Sequence, residues 1–191
     1  MTVSAKRPPG QRWLAIRRMG IDTYNEPIVY LRRDSEVCRA EGFESQARVR
    51  LSTHRNAIIA TLNVVTSDLI GMDEAGLSEA AWRLLAPGAD EHLHVDHPEP
   101  VHSLSAVRGK IHGEELRPAA IDEIVRDVGE GRYSPVETAA FLTACAGQRL
   151  SYRETVALTR AMLNAGSRLT WPTAPIVDKH CIGGLPGNRT T

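Results

Sequence analysis

The pattern of apolar and polar residues divides the chain into a β-rich part and a helical part. Up to about residue 88, apolar residues occur in short runs rich in β-branched side chains, which is typical of strands. The predicted strands are residues 13–19, 27–31, 47–51 and 56–65, the last reading NAIIATLNVV. Ser78 is placed to cap a short helix that ends at Leu85, before a Pro-Gly pair. We therefore predict a small barrel-like domain here.

From about residue 101 the apolar spacing changes to that of helices. Apolar residues recur three and four positions apart through residues 104–111 and again through 121–128. Two capping boxes of the form S-x-x-E, at Ser134 and Ser151, each precede another apolar run. The pattern predicts four helices, joined by short loops that contain glycine, in an antiparallel helical bundle.

The connecting segments complete the expected domain organisation, and the fold class is α+β. Acidic residues, histidines and two prolines before the bundle are typical of a linker. After the bundle, a Trp-Pro loop leads into a short apolar strand and a glycine-rich loop, which would be the first part of a truncated α/β domain. The predicted divisions are a mobile tail at 1–12, the β-rich domain at 13–88, the linker at 89–100, the helical domain at 101–170 and the α/β start at 171–191.

Composition and charge exclude several classes of function. The 191 residues are 42% hydrophobic and 24% charged, which is typical of a globular protein. Lys plus Arg and Asp plus Glu both total 23, so no overall charge favours nucleic acid or an anionic membrane as partner. No signal peptide or long apolar span is evident, and the three cysteines form no disulfide framework. We expect a cytoplasmic protein without nucleic-acid or membrane partners.

The glycine-rich stretch VDKHCIGGLPGNRTT, at residues 177–191, carries the most specific chemistry. Glycines let several backbone N–H groups approach one anion, a lysine adds a compact positive charge, and threonines add hydroxyl donors. The stretch contains neither the G-x-x-x-x-G-K-[ST] nor the G-x-G-x-x-G motif. From composition alone, both a phosphate cradle and a simple turn stay open.

The string DKHCIGG at residues 178–184, followed by LPGN, resembles the phosphate-binding signature of the thymidine/pyrimidine-nucleoside phosphorylase family. The continuation to NRTT is similar to the type 2 branch, which includes AMP phosphorylase and bacterial proteins named as thymidine phosphorylases. The resemblance extends to residues 134–142 and 154–166 in the helical domain, and to the β-rich N-terminal module that this branch carries. It implies that the chain is the N-terminal part of a longer enzyme.

The resemblance also implies a reaction and a set of site residues. Family members cleave a nucleoside, or in one branch a nucleoside monophosphate, with inorganic phosphate as co-substrate and with no metal or other cofactor. The resemblance also implies a homodimer formed through the helical domain, or a higher homo-oligomer supported by the extra N-terminal module. Lys179 and His180 would be catalytic, Lys179 at the phosphate and His180 at the base. The implied binding residues are Lys179, Cys181, Gly183, Gly184, Gly187, Asn188, Thr190 and Thr191.

Three alternatives bear on this expected site. Most family members place serine where this chain has Cys181, so one contact to phosphate would be weaker. A nucleophilic Cys181 activated by His180 is disfavoured, because adjacent side chains on an extended backbone point to opposite sides. A non-catalytic assembly or phosphate-sensing module is the alternative from another class. Without the missing α/β domain, we expect the 191-residue chain alone to be inactive.

Other polar clusters have simpler explanations. His92, His94, His97 and His102 surround Asp96 and could ligate a divalent metal, but a solvated linker is the favoured interpretation. Arg32, Arg33, Arg48 and Arg50 are expected on a solvated strand face, because no series of aromatic residues accompanies them for nucleic-acid stacking. Cys145 lies in an apolar helix and is expected in the core.

Overall fold

The first domain is a closed β-barrel, as the sequence predicts. The computed structural model describes residues 12–167, 170–172 and 175. Six strands close in the order β1-β5-β2-β4-β3-β6, with β1–β5 and β2–β4 parallel and the other pairs antiparallel. The strands are β1 (Leu14–Arg18), β2 (Ile28–Arg32), β3 (Arg48–Ser52), β4 (Ala57–Val65), β5 (Glu74–Leu77) and β6 (His92–Asp96). Two short helices, α1 (Glu36–Glu41) and α2 (Glu79–Leu85), belong to the same domain.

Side-chain alternation along the strands builds the barrel core. On β2, Val29 and Leu31 are fully buried, while on β3 Val49 and Leu51 are fully buried and Arg50 between them is exposed. Successive strand residues point to opposite faces, so one set fills the interior and the other faces outward. Ser78 caps α2 by accepting a hydrogen bond from the N–H of Ala81, as its position predicts.

The expected linker at residues 89–100 differs in the structure, because it contains β6. Leu93 and Val95 of this strand are buried, whereas the alternating His92, His94 and Asp96 are only half-buried. β6 pairs antiparallel with both β1 and β3 and so closes the barrel. Its polar outer positions gave the segment the composition of a linker. The sequence also left α1 and the four-residue strand β5 unpredicted.

The second domain is the predicted helical bundle. Its helices are α3 (Leu104–Ile111), α4 (Pro118–Gly129), α5 (Pro135–Cys145) and α6 (Tyr152–Ala165). Both predicted capping boxes are present, at Ser134 and Ser151. The buried apolar residues of its core are Val107, Leu116, Ile121, Ile124, Tyr133, Phe141 and Ala161. Among the described residues, no helix has the length and apolarity needed to cross a membrane.

Truncation of Leu51 tests the barrel core. Leu51→Ala leaves a cavity in a close-packed interior, so the free energy of unfolding should fall by about 2–5 kcal/mol. Arg50→Ala, on the outward face of the same strand, should change it by no more than about 0.5 kcal/mol. Urea unfolding of both variants checks this. Equal losses in the two variants would contradict the assignment of the inner and outer faces.

Candidate functional site

The residues expected to bind phosphate and base all lie outside the described part of the chain. They are Lys179, His180, Cys181, Gly183, Gly184, Gly187, Asn188, Thr190 and Thr191. Their roles therefore stay predictions. The last described helix before them is α6, which ends at Ala165 and is followed by the C-cap residue Gly166. α6 is thus the bundle helix nearest in sequence to the predicted loop.

A buried ion pair anchors the start of α6. Lys110, near the end of α3, is 6% exposed, and Glu154, in the first turn of α6, is 2% exposed. Lys110 Nζ donates to Glu154 Oε1 at 2.6 Å, and the backbone N–H of Leu116 donates to the same oxygen at 2.8 Å. The backbone N–H of Ser151 donates to Oε2 at 2.7 Å as part of the capping box. One carboxylate therefore fixes α3, the loop before α4 and the start of α6.

Opposing effects set the pKa of Glu154. Burial raises this pKa, because it penalises the charged form. Hydrogen bonds from Lys110 and from the N–H groups of Leu116 and Ser151 lower it by more, so the pKa of Glu154 lies below its ordinary value. The carboxylate is consequently ionised at neutral pH. Removing its charge would leave a buried lysine without a counter-ion.

A second buried polar cluster lies where the chain enters the bundle. Ser103 Oγ donates to Asp127 Oδ2 at 2.6 Å and lies 2.8 Å from the Tyr133 hydroxyl oxygen. Because the Ser103 proton points at the carboxylate, the Tyr133 hydroxyl is the donor in the second contact. Arg132 Nη1 donates to Asp127 Oδ1 at 2.8 Å. Burial raises the pKa of Tyr133, which keeps this hydroxyl protonated.

Arg48 does not lie on a solvated strand face, and that expectation was wrong for this residue. Its side chain is 18% exposed and pairs with Glu26, Nη1 to Oε1, at 3.0 Å. Arg50, two residues along β3, fits the expectation: it is exposed, and its side chain has no hydrogen bond or ion pair among the described residues. The repeated arginine pattern predicted the shared outer face of β3. It did not reveal that Arg48 is covered.

Two of the histidines around Asp96 pack against different aromatic side chains. The ring centroids of His94 and Trp13 are 5.6 Å apart, and those of His97 and Phe43 are 4.7 Å apart. Within the described ranges, no group of three or more His, Cys, Asp or Glu side chains could hold a metal ion. The structure therefore gives the alternative metal site no support.

Two open grooves lie on the described surface, each of about 600 Å³. One runs along α4 and α6 and carries Arg153, Arg160 and the exposed Tyr152. The other lies between the barrel and the bundle and mixes Arg50 and Arg132 with acidic residues. Neither contains a cysteine or serine beside a histidine, the combination that would activate a nucleophile.

The two described cysteines are structural. Cys145 packs against the bundle core, as expected, and Cys38 is buried in the barrel. Burial raises the pKa of both thiols, which lowers their thiolate fraction at neutral pH. Neither is suited to act as a nucleophile.

Substitution of Glu154 tests the buried ion pair. Glu154→Gln leaves Lys110 buried without its counter-ion, so the free energy of unfolding should fall by about 3–5 kcal/mol. Glu137→Gln is the matched control, because Glu137 holds the same capping-box position in α5 and has no ion pair with a described residue. It should cost about 1 kcal/mol. Comparable losses in the two variants, measured by urea unfolding, would refute the special role of Glu154.

The lowered pKa of Glu154 also predicts a pH dependence. A carboxyl whose pKa is depressed by folding contributes stability that is complete above its ordinary pKa and is lost as pH falls through the folded value. The difference in unfolding free energy between the wild type and Glu154→Gln should therefore be constant from pH 7 to about pH 5 and shrink below that. Urea titrations along a pH series measure it. A constant difference down to about pH 3 would contradict the assignment.

Known proteins resemble both the helical domain and the chain as a whole. Residues 104–166 match the family described as "Glycosyl transferase family, helical bundle domain". A Polaromonas sp. (strain JS666) protein named "Putative thymidine phosphorylase" is 55% identical over 93% of this chain and 35% of its own length. A protein of the same name from Hahella chejuensis is 52% identical over 94% of this chain and 35% of its own length. The chain thus spans about a third of the length of these relatives.

Solved structures also resemble part of the chain. The computationally designed msDPBB_sym2 protein has a TM-score of 0.39 and 17% identity, over 46% of this chain and 99% of that protein. The helical-domain match and the two relatives agree with the family resemblance of the glycine-rich stretch. Over 93% of its length the chain is therefore similar to a protein named as a thymidine phosphorylase, and its residues 104–166 match the glycosyl transferase helical bundle domain.

Proposed function

We propose that this chain is part of a nucleoside phosphorylase, a pentosyltransferase that uses inorganic phosphate as co-substrate and needs no other cofactor. The observation that carries the proposal is the string DKHCIGG at residues 178–184, within a chain 55% identical to a protein named as a thymidine phosphorylase. The string combines a lysine, a histidine and adjacent glycines, which suits an anion that must be held next to a departing base.

The proposed reaction is a displacement at the sugar. A phosphate oxygen forms a bond to C1′ while the bond from C1′ to the base nitrogen breaks, and the electron pair leaves with the base. Positive charge then develops on the sugar ring and negative charge on the base. Such a reaction depends mainly on positioning and electrostatic stabilisation, because phosphate itself is the nucleophile. The products are the free base and a sugar 1-phosphate.

The proposed residue roles follow from this charge distribution. Lys179 holds the attacking phosphate, the backbones of Gly183 and Gly184 line it, and Thr190 and Thr191 donate hydroxyl hydrogen bonds. Gly187 and Asn188 complete the phosphate- and nucleotide-binding set. His180 hydrogen-bonds the base as negative charge develops there. Cys181 lies next to the phosphate as a weak donor.

Thymidine is the first proposed substrate, because the relatives carry that name. The alternative is AMP or another nucleoside monophosphate, which would give ribose 1,5-bisphosphate. This alternative comes from the family resemblance, in which the branch that carries an N-terminal β-rich module includes AMP phosphorylase. The discriminating residues of the base site would lie in the two thirds of the relatives that this chain does not span.

We further propose a cytoplasmic homodimer or higher homo-oligomer. The resemblance assigns assembly to the helical domain, and several apolar side chains of that domain are exposed in the chain. Val136 and Leu142 on α5 are 78% and 61% exposed, and Ile111 on α3 is 50% exposed. Burying such side chains against a second copy is the usual way to remove them from water.

Substitution of Lys179 in the intact protein tests the proposal. Base release from thymidine, uridine, AMP and CMP is measured side by side, with and without inorganic phosphate. We expect phosphate-dependent release from at least one substrate, and a loss of about 100-fold or more in kcat/KM for Lys179→Gln. Lys6→Gln, outside the glycine-rich stretch, is the control and should retain full activity.

The same assay separates the alternatives. Release from AMP or CMP but not from the nucleosides would favour the nucleotide branch. Phosphate binding by the intact protein without release from any of the four substrates would favour the non-catalytic module and overturn the enzyme assignment.

A further inference from the structure

The loop at residues 130–134, between α4 and α5, is held by the barrel. Arg48 Nη2 donates to the backbone carbonyl of Gly131 at 2.7 Å and to that of Tyr133 at 3.4 Å. The arginine belongs to β3, and the two carbonyls belong to the bundle. These bonds therefore join the two domains through one side chain.

Arg48 is itself held in place within the barrel. Its Nη1 donates to Glu26 Oε1 at 3.0 Å and to Thr61 Oγ1 at 2.9 Å. Thr61 Oγ1 donates in turn to Glu26 Oε1 at 2.6 Å. A guanidinium held on one side by an ionised carboxylate and a hydroxyl presents its other nitrogen in a fixed direction. The acceptors on the bundle loop lie in that direction.

The bundle holds the same loop from the other side. The Tyr133 hydroxyl contacts Ser103, whose hydroxyl donates to Asp127 at 2.6 Å. Arg132 bonds Asp127 and also donates to the carbonyl of Pro100 at 3.2 Å. The loop thus connects to the barrel through its backbone, and to α4 and the segment before α3 through its side chains. α5 begins directly after it, at Pro135.

We propose that Arg48 couples the barrel to the bundle energetically, so that the barrel maintains the conformation of the loop at 130–134 and the start of α5. Arg48 is then a positioning residue for the bundle, and the barrel is a structural support for it. The proposal requires no substrate and no downstream domain. Its test is therefore independent of the test of the phosphorylase assignment.

Arg48→Met tests the coupling. The substitution keeps an apolar stem but removes every hydrogen bond of the guanidinium. The backbone N–H groups of Gly131 and Arg132, which donate to the carbonyls of Val128 and Asp127, report opening of the loop by hydrogen exchange. Their exchange rates should rise about tenfold or more, since hydrogen bonds to a charged group are lost. Amides in the middle of α6 should change far less.

Arg50→Met is the matched control, because Arg50 lies on the same strand and face but is exposed and without a described partner. It should leave loop exchange unchanged. If Arg48→Met raises exchange equally at all amides, Arg48→Lys provides the test, because it keeps the charge near Glu26 but loses the planar fork. A rise concentrated at Gly131 and Arg132 in the lysine variant supports the coupling. Unchanged exchange at these two amides in a folded variant would overturn it.

Discussion

Closure of the barrel by β6 determines where the helical bundle can lie. β6 (His92–Asp96) pairs with both β1 and β3, so the chain must complete the barrel before it enters the bundle. Only residues 97–103 then separate the last strand from α3. So short a connection keeps the bundle close to the outer face of β3. Arg48 on that face can therefore reach the carbonyls of Gly131 and Tyr133.

Two buried carboxylates fix the positions of neighbouring elements within the bundle. Asp127 accepts hydrogen bonds from Ser103 and Arg132. Glu154, at the start of α6, accepts hydrogen bonds from Lys110 and from two backbone N–H groups. Both carboxylates are buried, and the hydrogen-bond partners named above all lie within the bundle. Buried charges with full hydrogen bonding fix relative positions more strictly than apolar contacts do. The helix that precedes the predicted phosphate-binding loop is therefore firmly placed at its first turn.

The apolar pattern predicted those elements whose own residues show a clear strand or helix spacing. The long strand β4, the caps at Ser78, Ser134 and Ser151, and the four helices of the bundle have local patterns that tertiary contacts did not override. β6 was missed because its outward positions carry histidines and an aspartate, which resemble a linker in composition. β5 spans four residues, EAGL, and has too few positions for an alternating pattern.

Functional and structural residues also differ in whether the sequence alone could point to them. The glycine-rich stretch could be proposed as a site from sequence because its candidate chemistry lies in consecutive residues, from Lys179 to Thr191, and it stays a prediction. The roles of Arg48 and Glu154 could not, because their ion-pair partners lie 22 and 44 positions away along the chain. Sequence placed Glu154 correctly in a capping box but could not show that Lys110 meets the same carboxylate. Likewise, Arg48 and Arg50 lie on the same face of β3, and Arg48 differs through its contacts with Glu26, Thr61 and the bundle loop.

Identification of the sugar product by ³¹P NMR tests the proposed chemistry most directly. The intact protein is incubated with inorganic phosphate and the substrate that it cleaves, and free base and phosphorylated sugar are quantified together. Displacement by phosphate predicts one sugar 1-phosphate, or one ribose 1,5-bisphosphate from AMP, for each base released. Release of base with no new phosphate ester at the anomeric carbon would mean that water is the nucleophile and would contradict a phosphorylase.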